Sequence, residues 1–472
     1  MTDRVTLTIG GKAVDTAARL EVRNPATGEV FADVPDAGAA ELDLAVNAAK
    51  AAFPGWKATT WAERKALILR IADVLEANVP DLARMLTREQ GKPTAQATAE
   101  ITGAVGWCRA TAMLELADRV IEDSETRYCV TKYEPIGVVA GISPWNFPVL
   151  LSIWKIAPAL LTGNTLVLKP SPFTPMTVLR FGELLREVVP PGVLNVVSGG
   201  DDLGPMLTSH PGIDKISFTG STATGRKVME SAAAGLKRVT LELGGNDAAI
   251  VLPDVDVAEA AKKLFWSAFT NSGQVCIATK RAYVHEDIFE PMVEALTAMV
   301  KAMPMGDGSQ QGSVLGPVQN RRQFDRVKEL VAASEQAGER IVCGDAPDNG
   351  GYFQPVTLVV DPPEDSPIVA QEQFGPVLPI LKFSDVDDVV ARANASPFGL
   401  AATIWTKDTD RALAIADRLE TGSVWINEGL AASPLAAFGG RKHSGLGVEN
   451  GVEGLMAYTE PRTISVNRAV RI

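Results

Sequence analysis

At 472 residues the chain is too long for one ordinary hydrophobic core, so two or three domains are expected. Its 45 Lys and Arg against 57 Asp and Glu give a net charge of −12, which argues against nucleic acid or anionic membranes as partners. Four cysteines without regular spacing and three scattered histidines leave neither a disulfide framework nor a zinc site, and point to a reducing cytoplasm.

The opening residues, MTDRVTLTIGGK, lack the basic and apolar regions of a signal peptide. Apolar side chains at helical spacing predict helices at 39–53 and 61–78, for instance through Ile68, Ile71 and Leu75. Pro80 and Gly91-Lys-Pro93 bracket another helix, with Pro near its start and Gly just past its end. Segment 125–132 reads as a strand standing outside any β/α series.

The most apolar stretch runs from 136 to 168 with one charge, Lys155. A membrane helix fits it poorly, because Pro144, Asn146, Pro148 and Pro158 interrupt it and Gly137-Val-Val-Ala-Gly reads as a buried strand. Short β-branched runs at 137–142, 165–168, 193–197, 215–218, 239–243 and 248–252 then alternate with helical stretches such as 176–189. Continuous apolar strands alternating with helices predict a parallel sheet covered on both faces, an α/β fold. A second β/α series follows Cys276, with strands at 281–284, 356–360, 377–383, 402–405 and 423–426 and loops at 304–317 and 343–355. Segment 457–467 alternates like a strand, and with 125–132 it suggests an arm that pairs with another subunit.

Four short motifs carry chemistry. Ser217-Phe-Thr-Gly-Ser-Thr-Ala-Thr-Gly225 lies between a predicted strand and a predicted helix, where glycines let a phosphate approach free N–H groups. Alone it is a weak signal, since such clusters end many strands, and no Gly-x-Gly-x-x-Gly follows the first strand. Leu241-Glu-Leu-Gly-Gly-Asn246 sets Glu242 either in a solvated turn or among leucines that raise its pKa toward general-base use. Pro144-Trp-Asn-Phe-Pro148 is a rigid turn that is either structural or presents Asn146 as an oxyanion donor. Phe269-Thr-Asn-Ser-Gly-Gln-Val-Cys276 places a cysteine in a small polar loop without a histidine, whereas Cys108, Cys129 and Cys343 sit in helical, strand-like and loop settings and read as structural.

Together these motifs resemble the aldehyde dehydrogenase superfamily over nearly the whole chain. Glu372-Gln-Phe-Gly-Pro376 and Phe438-Gly-Gly-Arg-Lys-His-Ser-Gly445 add independent support. The resemblance implies a Rossmann-type cofactor domain lacking the usual glycine fingerprint (1–116 and 136–244), an α/β catalytic domain (245–444) and a small β oligomerisation arm (117–135 and 457–472). It implies that Cys276 attacks the aldehyde carbonyl, and that Asn146 and the Cys276 N–H hold the oxyanion. Glu242 is then expected to activate the water that hydrolyses the thioester, and Glu449 to assist proton transfer. With both glutamates present, the expected product is the free acid rather than a coenzyme A ester.

For the cofactor, the same resemblance implies contacts from Ile142, Ser143, Pro144, Trp145, Lys169, Ser171, Gly200, Gly220, Ser221, Leu243, Glu372 and Phe374. Many NAD-preferring members carry Glu where this chain has Pro172, a departure that removes repulsion against a 2′-phosphate and leaves NADP acceptable. NAD remains the favoured cofactor because no extra arginine stands nearby. Phe147, Leu151, Trp154, Val275, Leu430, Ala432 and Phe438 are expected to line the substrate tunnel. With no arginine in 147–154, the expected substrate is an uncharged aliphatic or aromatic aldehyde rather than a semialdehyde. The expected assembly is a homodimer or homotetramer, and no metal is implied. The rivals are a thiol esterase without redox chemistry and a non-enzymatic protein that retains the fold.

Overall fold

A computed structural model describes residues 4–470. The first β/α series forms five parallel strands: β1 (Val138–Ile142), β2 (Thr165–Lys169), β3 (Leu194–Val196), β4 (Lys215–Thr219) and β5 (Arg238–Glu242). β1 to β4 are buried at nearly every position, which is why their sequences run apolar without alternation. In space the order is β3-β2-β1-β4-β5. Leu7–Ile9, backed by Lys12–Val14, adds antiparallel to β3, and Gly445–Leu446 adds antiparallel to β5. Strand order therefore reverses between β1 and β4. Ligands of open α/β sheets bind outside the carboxyl ends of the strands at such a switch point.

The helices expected at 39–53, 61–78 and before Gly91 form as Ala39–Lys57, Trp61–Ala77 and Val79–Gln90. Thr60 and Glu63 close a capping box on the second, and Gly91 ends the third at φ 93°, a conformation that disfavours a side chain. Their apolar faces, including Ile68, Ile71 and Leu75, share one core with Val139, Leu166 and Ile216 of the sheet. The expected helix at 176–189 stops at Leu184 and continues as turn toward Pro190, which disfavours helix in the residue before it. Helix Thr94–Thr111 was not expected, because its Ala, Thr and Gly residues leave no clear apolar stripe.

The second series forms β6 (Ala248–Val251), β7 (Arg281–His285), β8 (Thr357–Val360), β9 (Val377–Phe383), β10 (Ala401–Trp405) and β11 (Ser423–Ile426). These are parallel in the order β8-β9-β7-β6-β10-β11, with Arg340–Cys343 antiparallel at the β8 edge. Cys343 thus ends a strand rather than lying in a loop. One face is covered by apolar side chains such as Leu264, Phe265 and Leu296, the other by Val327, Leu330 and Ile415.

The two strands expected to stand alone pair with each other inside the chain. Arg127–Pro135 runs antiparallel to Thr459–Asn467 from Arg127↔Asn467 to Pro135↔Thr459, with Arg119–Asp123 on its other edge. The last two positions of the expected arm, 471 and 472, lie outside the described residues. Among the described residues no helix is long and apolar enough to cross a membrane. The 136–168 stretch instead supplies β1, helix α1 (Pro148–Leu161) and β2.

A buried ion pair fastens α1 to the preceding helices. Lys92 Nζ lies 2.6 Å from Glu100 Oε2 and donates to the Asn146 carbonyl at 2.7 Å. Glu100 Oε1 accepts from the N–H groups of Val149 and Leu150 at the start of α1, so its charge also faces a helix N-terminus. Both side chains are fully buried, so removing one strands the other. Lys92→Met should therefore destabilise the fold by about 3–5 kcal/mol in urea unfolding. A loss below about 1 kcal/mol would show that the pair does not fasten these elements.

Candidate active site

Helix α3 (Val257–Phe269) delivers the chain into the loop that carries Cys276. Asn271, Ser272 and Gly273 follow with φ of 51°, 54° and 74°, three successive residues in the left-handed region. For the two that are not glycine this costs roughly 1–2 kcal/mol each. The polar side chains offset it. Ser272 Oγ donates to Gly316 O at 2.7 Å, and Gln274 Nε2 donates to Asn271 O at 2.9 Å and Pro317 O at 3.2 Å. Gly273 is required, because a Cβ there would lie 2.1 Å from Gly375 O. The polar residues before Cys276 thus hold a strained turn.

Asn146 sits between β1 and α1, buried, and its Nδ2 donates to Gln274 O at 3.0 Å. Its own carbonyl is fixed by Lys92 and by Asn271 Nδ2 at 3.2 Å. Glu242 ends β5 with its carboxylate buried and neither oxygen hydrogen-bonded within the protein. Burial, together with the nearby charge of Glu449, pushes its pKa well above the usual range, against the opposing charge of Lys155.

Glu449 arrives from far along the chain. The antiparallel pairing of Glu242 with Gly445 brings its segment onto the cofactor sheet. Its Oε1 then accepts from Lys155 Nζ at 2.9 Å and Ser217 Oγ at 2.9 Å, and Lys155 also donates to Thr219 Oγ1 at 2.8 Å. Lys155 was seen in the sequence only as a charge interrupting an apolar stretch. The usable signal was that a lysine in an otherwise apolar helix needs a buried carboxylate.

The seven expected tunnel residues come together. Leu151, Trp154, Val275 and Phe438 are buried in one apolar cluster, against which Phe147, Leu430, Ala432 and Cys276 pack. Trp154 stacks on Trp107 at 5.4 Å and meets Phe438 edge-on at 5.3 Å. Trp107, Ile277 and Trp425 belong to the same cluster and were missed, because no motif marks them.

Most of the expected cofactor residues stand at or just past the carboxyl ends of β1 to β5. Ile142 ends β1 and Ser143 follows it, and Ser143 N donates to Lys169 O at 3.1 Å. Gly220 and Ser221 follow β4, and Ser221 caps the 12-residue helix α2 (Thr222–Ala233). At Gly225 a Cβ would come 2.5 Å from Leu243, so α2 starts close against the sheet. Lys169 is buried, and burial lowers its pKa to about 8 while the charges of Asp201 and Asp36 oppose the shift. Gly200 N donates to Asp36 Oδ1 at 3.0 Å. Ser171 Oγ accepts from Phe173 N at 3.3 Å, with Pro172 half-buried beside it. Pro144 and Trp145 lead from Ser143 toward Asn146, and Trp145 meets Phe374 edge-on at 5.2 Å. Glu372 Oε1 accepts from Gly245 N at 3.1 Å. A strand-order switch point, a helix N-terminus beside close-packed glycines and a buried cation together suit a dinucleotide.

Comparison with known proteins agrees. The profile of the Aldehyde dehydrogenase family matches residues 13–464. The chain belongs to the aldehyde dehydrogenase family. A probable aldehyde dehydrogenase from Pseudomonas sp. is 43% identical over 463 residues, covering 98% of this chain and 94% of the relative. Phenylacetaldehyde dehydrogenase of Pseudomonas fluorescens is 40% identical, covering 97% of this chain and 95% of the relative. The NAD+ complex of an aldehyde dehydrogenase from Bacillus cereus superposes with TM-score 0.96 at 37% identity, covering 98% and 96% of the two chains. An E. coli NADP-dependent enzyme superposes with TM-score 0.95 at 38% identity, covering 98% of each. The protein is an NAD(P)-dependent oxidoreductase that oxidises aldehydes.

In the free dehydrogenase the Cys276 thiol is pushed up to about 12, first by burial and then by the charges of Asp247 and Glu242, with Lys280 opposing. Alkylation of Cys276 should accordingly be slow at neutral pH and rise about tenfold per pH unit to beyond about pH 10. A plateau near pH 8 would contradict this environment. Glu372 is raised to about 7 by burial, against the charge of Lys280 and the bond from Gly245. A raised carboxyl stabilises the fold below its unfolded pKa of about 4.5, and that contribution is lost as pH rises through about 7. Glu372→Gln should therefore melt higher than the parent at pH 8 and alike at pH 4; equal melting at both would contradict the shift.

Proposed function

We propose that the enzyme oxidises uncharged aliphatic or aromatic aldehydes of moderate size to free acids, with NAD favoured over NADP. The observation that carries this reading is the apolar cluster of Leu151, Trp154, Val275 and Phe438 packed against Cys276. A carboxylate-bearing aldehyde entering it would lose its hydration without gaining an arginine partner.

The aldehyde lies in that cluster with its carbonyl carbon at Cys276 Sγ. The developing oxyanion is held by Asn146 Nδ2 and the Cys276 N–H, donors worth about 10²–10³ each in rate. When bound, the nicotinamide supplies the hydride acceptor. Ile142, Ser143, Gly220, Ser221 and Lys169 would hold the dinucleotide, with Glu372 and Phe374 toward its nicotinamide end and Gly200 toward its adenine end. Glu242, with two free oxygens and a raised pKa, takes a proton from the water that hydrolyses the thioester. The Glu449 carboxylate, held by the Lys155 ammonium at 2.9 Å, accepts that proton in turn. Asp36 and Asp201 beside Lys169 oppose a 2′-phosphate, which supports the preference for NAD despite Pro172.

We also propose the domain division given by the resemblance, 1–116 with 136–244, then 245–444, with the arm at 117–135 and 457–472. The arm joins copies into a homodimer or homotetramer, a reading supported by the exposed Val120, Ile121 and Val466 on its strands. Four free cysteines support a cytoplasmic location.

kcat/KM for benzaldehyde or hexanal should exceed that for succinic semialdehyde by at least about tenfold, since each apolar group gained or lost changes selectivity by about 1–3 kcal/mol. The reverse order would sink the substrate assignment.

A further inference from the structure

Lys280 is a buried lysine that none of the roles above uses. It is 1% exposed, and its Nζ donates to Val275 O at 2.6 Å and Gly273 O at 3.2 Å. Its backbone N–H donates to Asp247 O at 2.9 Å, and its carbonyl accepts from Gln373 Nε2 at 3.3 Å. The charged or titratable groups acting on it are Glu372, Asp247 and Cys276. The ring of Phe374 lies 5.5 Å from its Nζ.

The two carbonyls it grips bracket a third that faces elsewhere, since Gln274 O accepts from Asn146 Nδ2 at 3.0 Å. Successive peptides of the nucleophile loop are thus clamped from different partners. In a planar trans peptide the N–H points opposite to the C=O. The peptide joining Val275 to Cys276 has its oxygen on the ammonium of Lys280. Its N–H, which belongs to Cys276, is therefore turned away from Lys280 and is held in that direction by the clamp.

We infer that Lys280 is a positioning residue for the oxyanion site, acting by clamping the Gly273 and Val275 carbonyls so that the Cys276 N–H converges with Asn146 Nδ2. The inference rests on the role of Cys276 in the proposed mechanism but not on the identity of the aldehyde. It touches neither substrate nor cofactor.

The test compares reactions of the same thiol that do and do not build an oxyanion. In Lys280→Met, kcat for aldehyde oxidation with NAD and for hydrolysis of p-nitrophenyl acetate should each fall about 10²-fold. KM for the ester should stay within about twofold. Alkylation of Cys276 by iodoacetamide, whose transition state carries no oxyanion, should fall by less than about tenfold at fixed pH. Lys280→Gln, which keeps N–H donors for the carbonyls, should recover part of the ester hydrolysis; it replaces the Met variant should that one not fold. Ester hydrolysis and alkylation falling by the same factor, or neither falling, would overturn the inference. A parent that hydrolyses the ester but oxidises only charged aldehydes would overturn the substrate assignment and leave this one standing.

Discussion

Three successive left-handed residues, Asn271, Ser272 and Gly273, are the constraint on which the rest of the site depends. A turn of this kind does not persist alone, because local strain survives only where the surroundings over-determine it. Here they do so from several directions. Gly316 and Pro317 accept hydrogen bonds from the turn's side chains, and Gln96 Oε1 accepts one from the Asn271 N–H. The gain is that Cys276 leaves the helix without entering the next strand, packs on the apolar cluster and follows two residues after the carbonyl that Asn146 bonds.

Buried lysines supply much of the remaining organisation. Lys92 fixes the Asn146 carbonyl, Lys155 bonds Glu449, and Lys280 grips the loop before Cys276. Each ammonium is satisfied by a carboxylate, a hydroxyl or peptide oxygens, as buried charges must be. Each also bridges segments distant in sequence or conformationally strained. The proposed chemistry, in which a thiol, an amide and a carboxylate converge, would thus be positioned by cations that need not touch the substrate.

The parallel strands of both sheets were legible because strands buried on two faces leave continuous β-branched runs, whereas the short antiparallel strands at their edges were not. The pairing of Arg127–Pro135 with Thr459–Asn467 was not, since antiparallel partners so far apart leave no local trace. Cys276, Glu242 and Asn146 stood out through turns with unusual composition. Lys155 and Lys280 did not, because a single lysine is ordinarily a solvated surface residue and only the fold shows which carbonyls or carboxylates surround it. Trp107 and Trp425 reach the apolar cluster from a helix and a strand whose sequences carry no motif.

The central claim is that Cys276 carries the acyl group and Glu242 releases it. Acid-quenched Glu242→Gln enzyme, taken during turnover with benzaldehyde and NAD and digested, tests it most directly by mass spectrometry. The account predicts a benzoyl group accumulating on the peptide that contains Cys276. Steady acid production by this variant with no acyl group on that peptide, or an acyl group on Cys108, Cys129 or Cys343 instead, would contradict it.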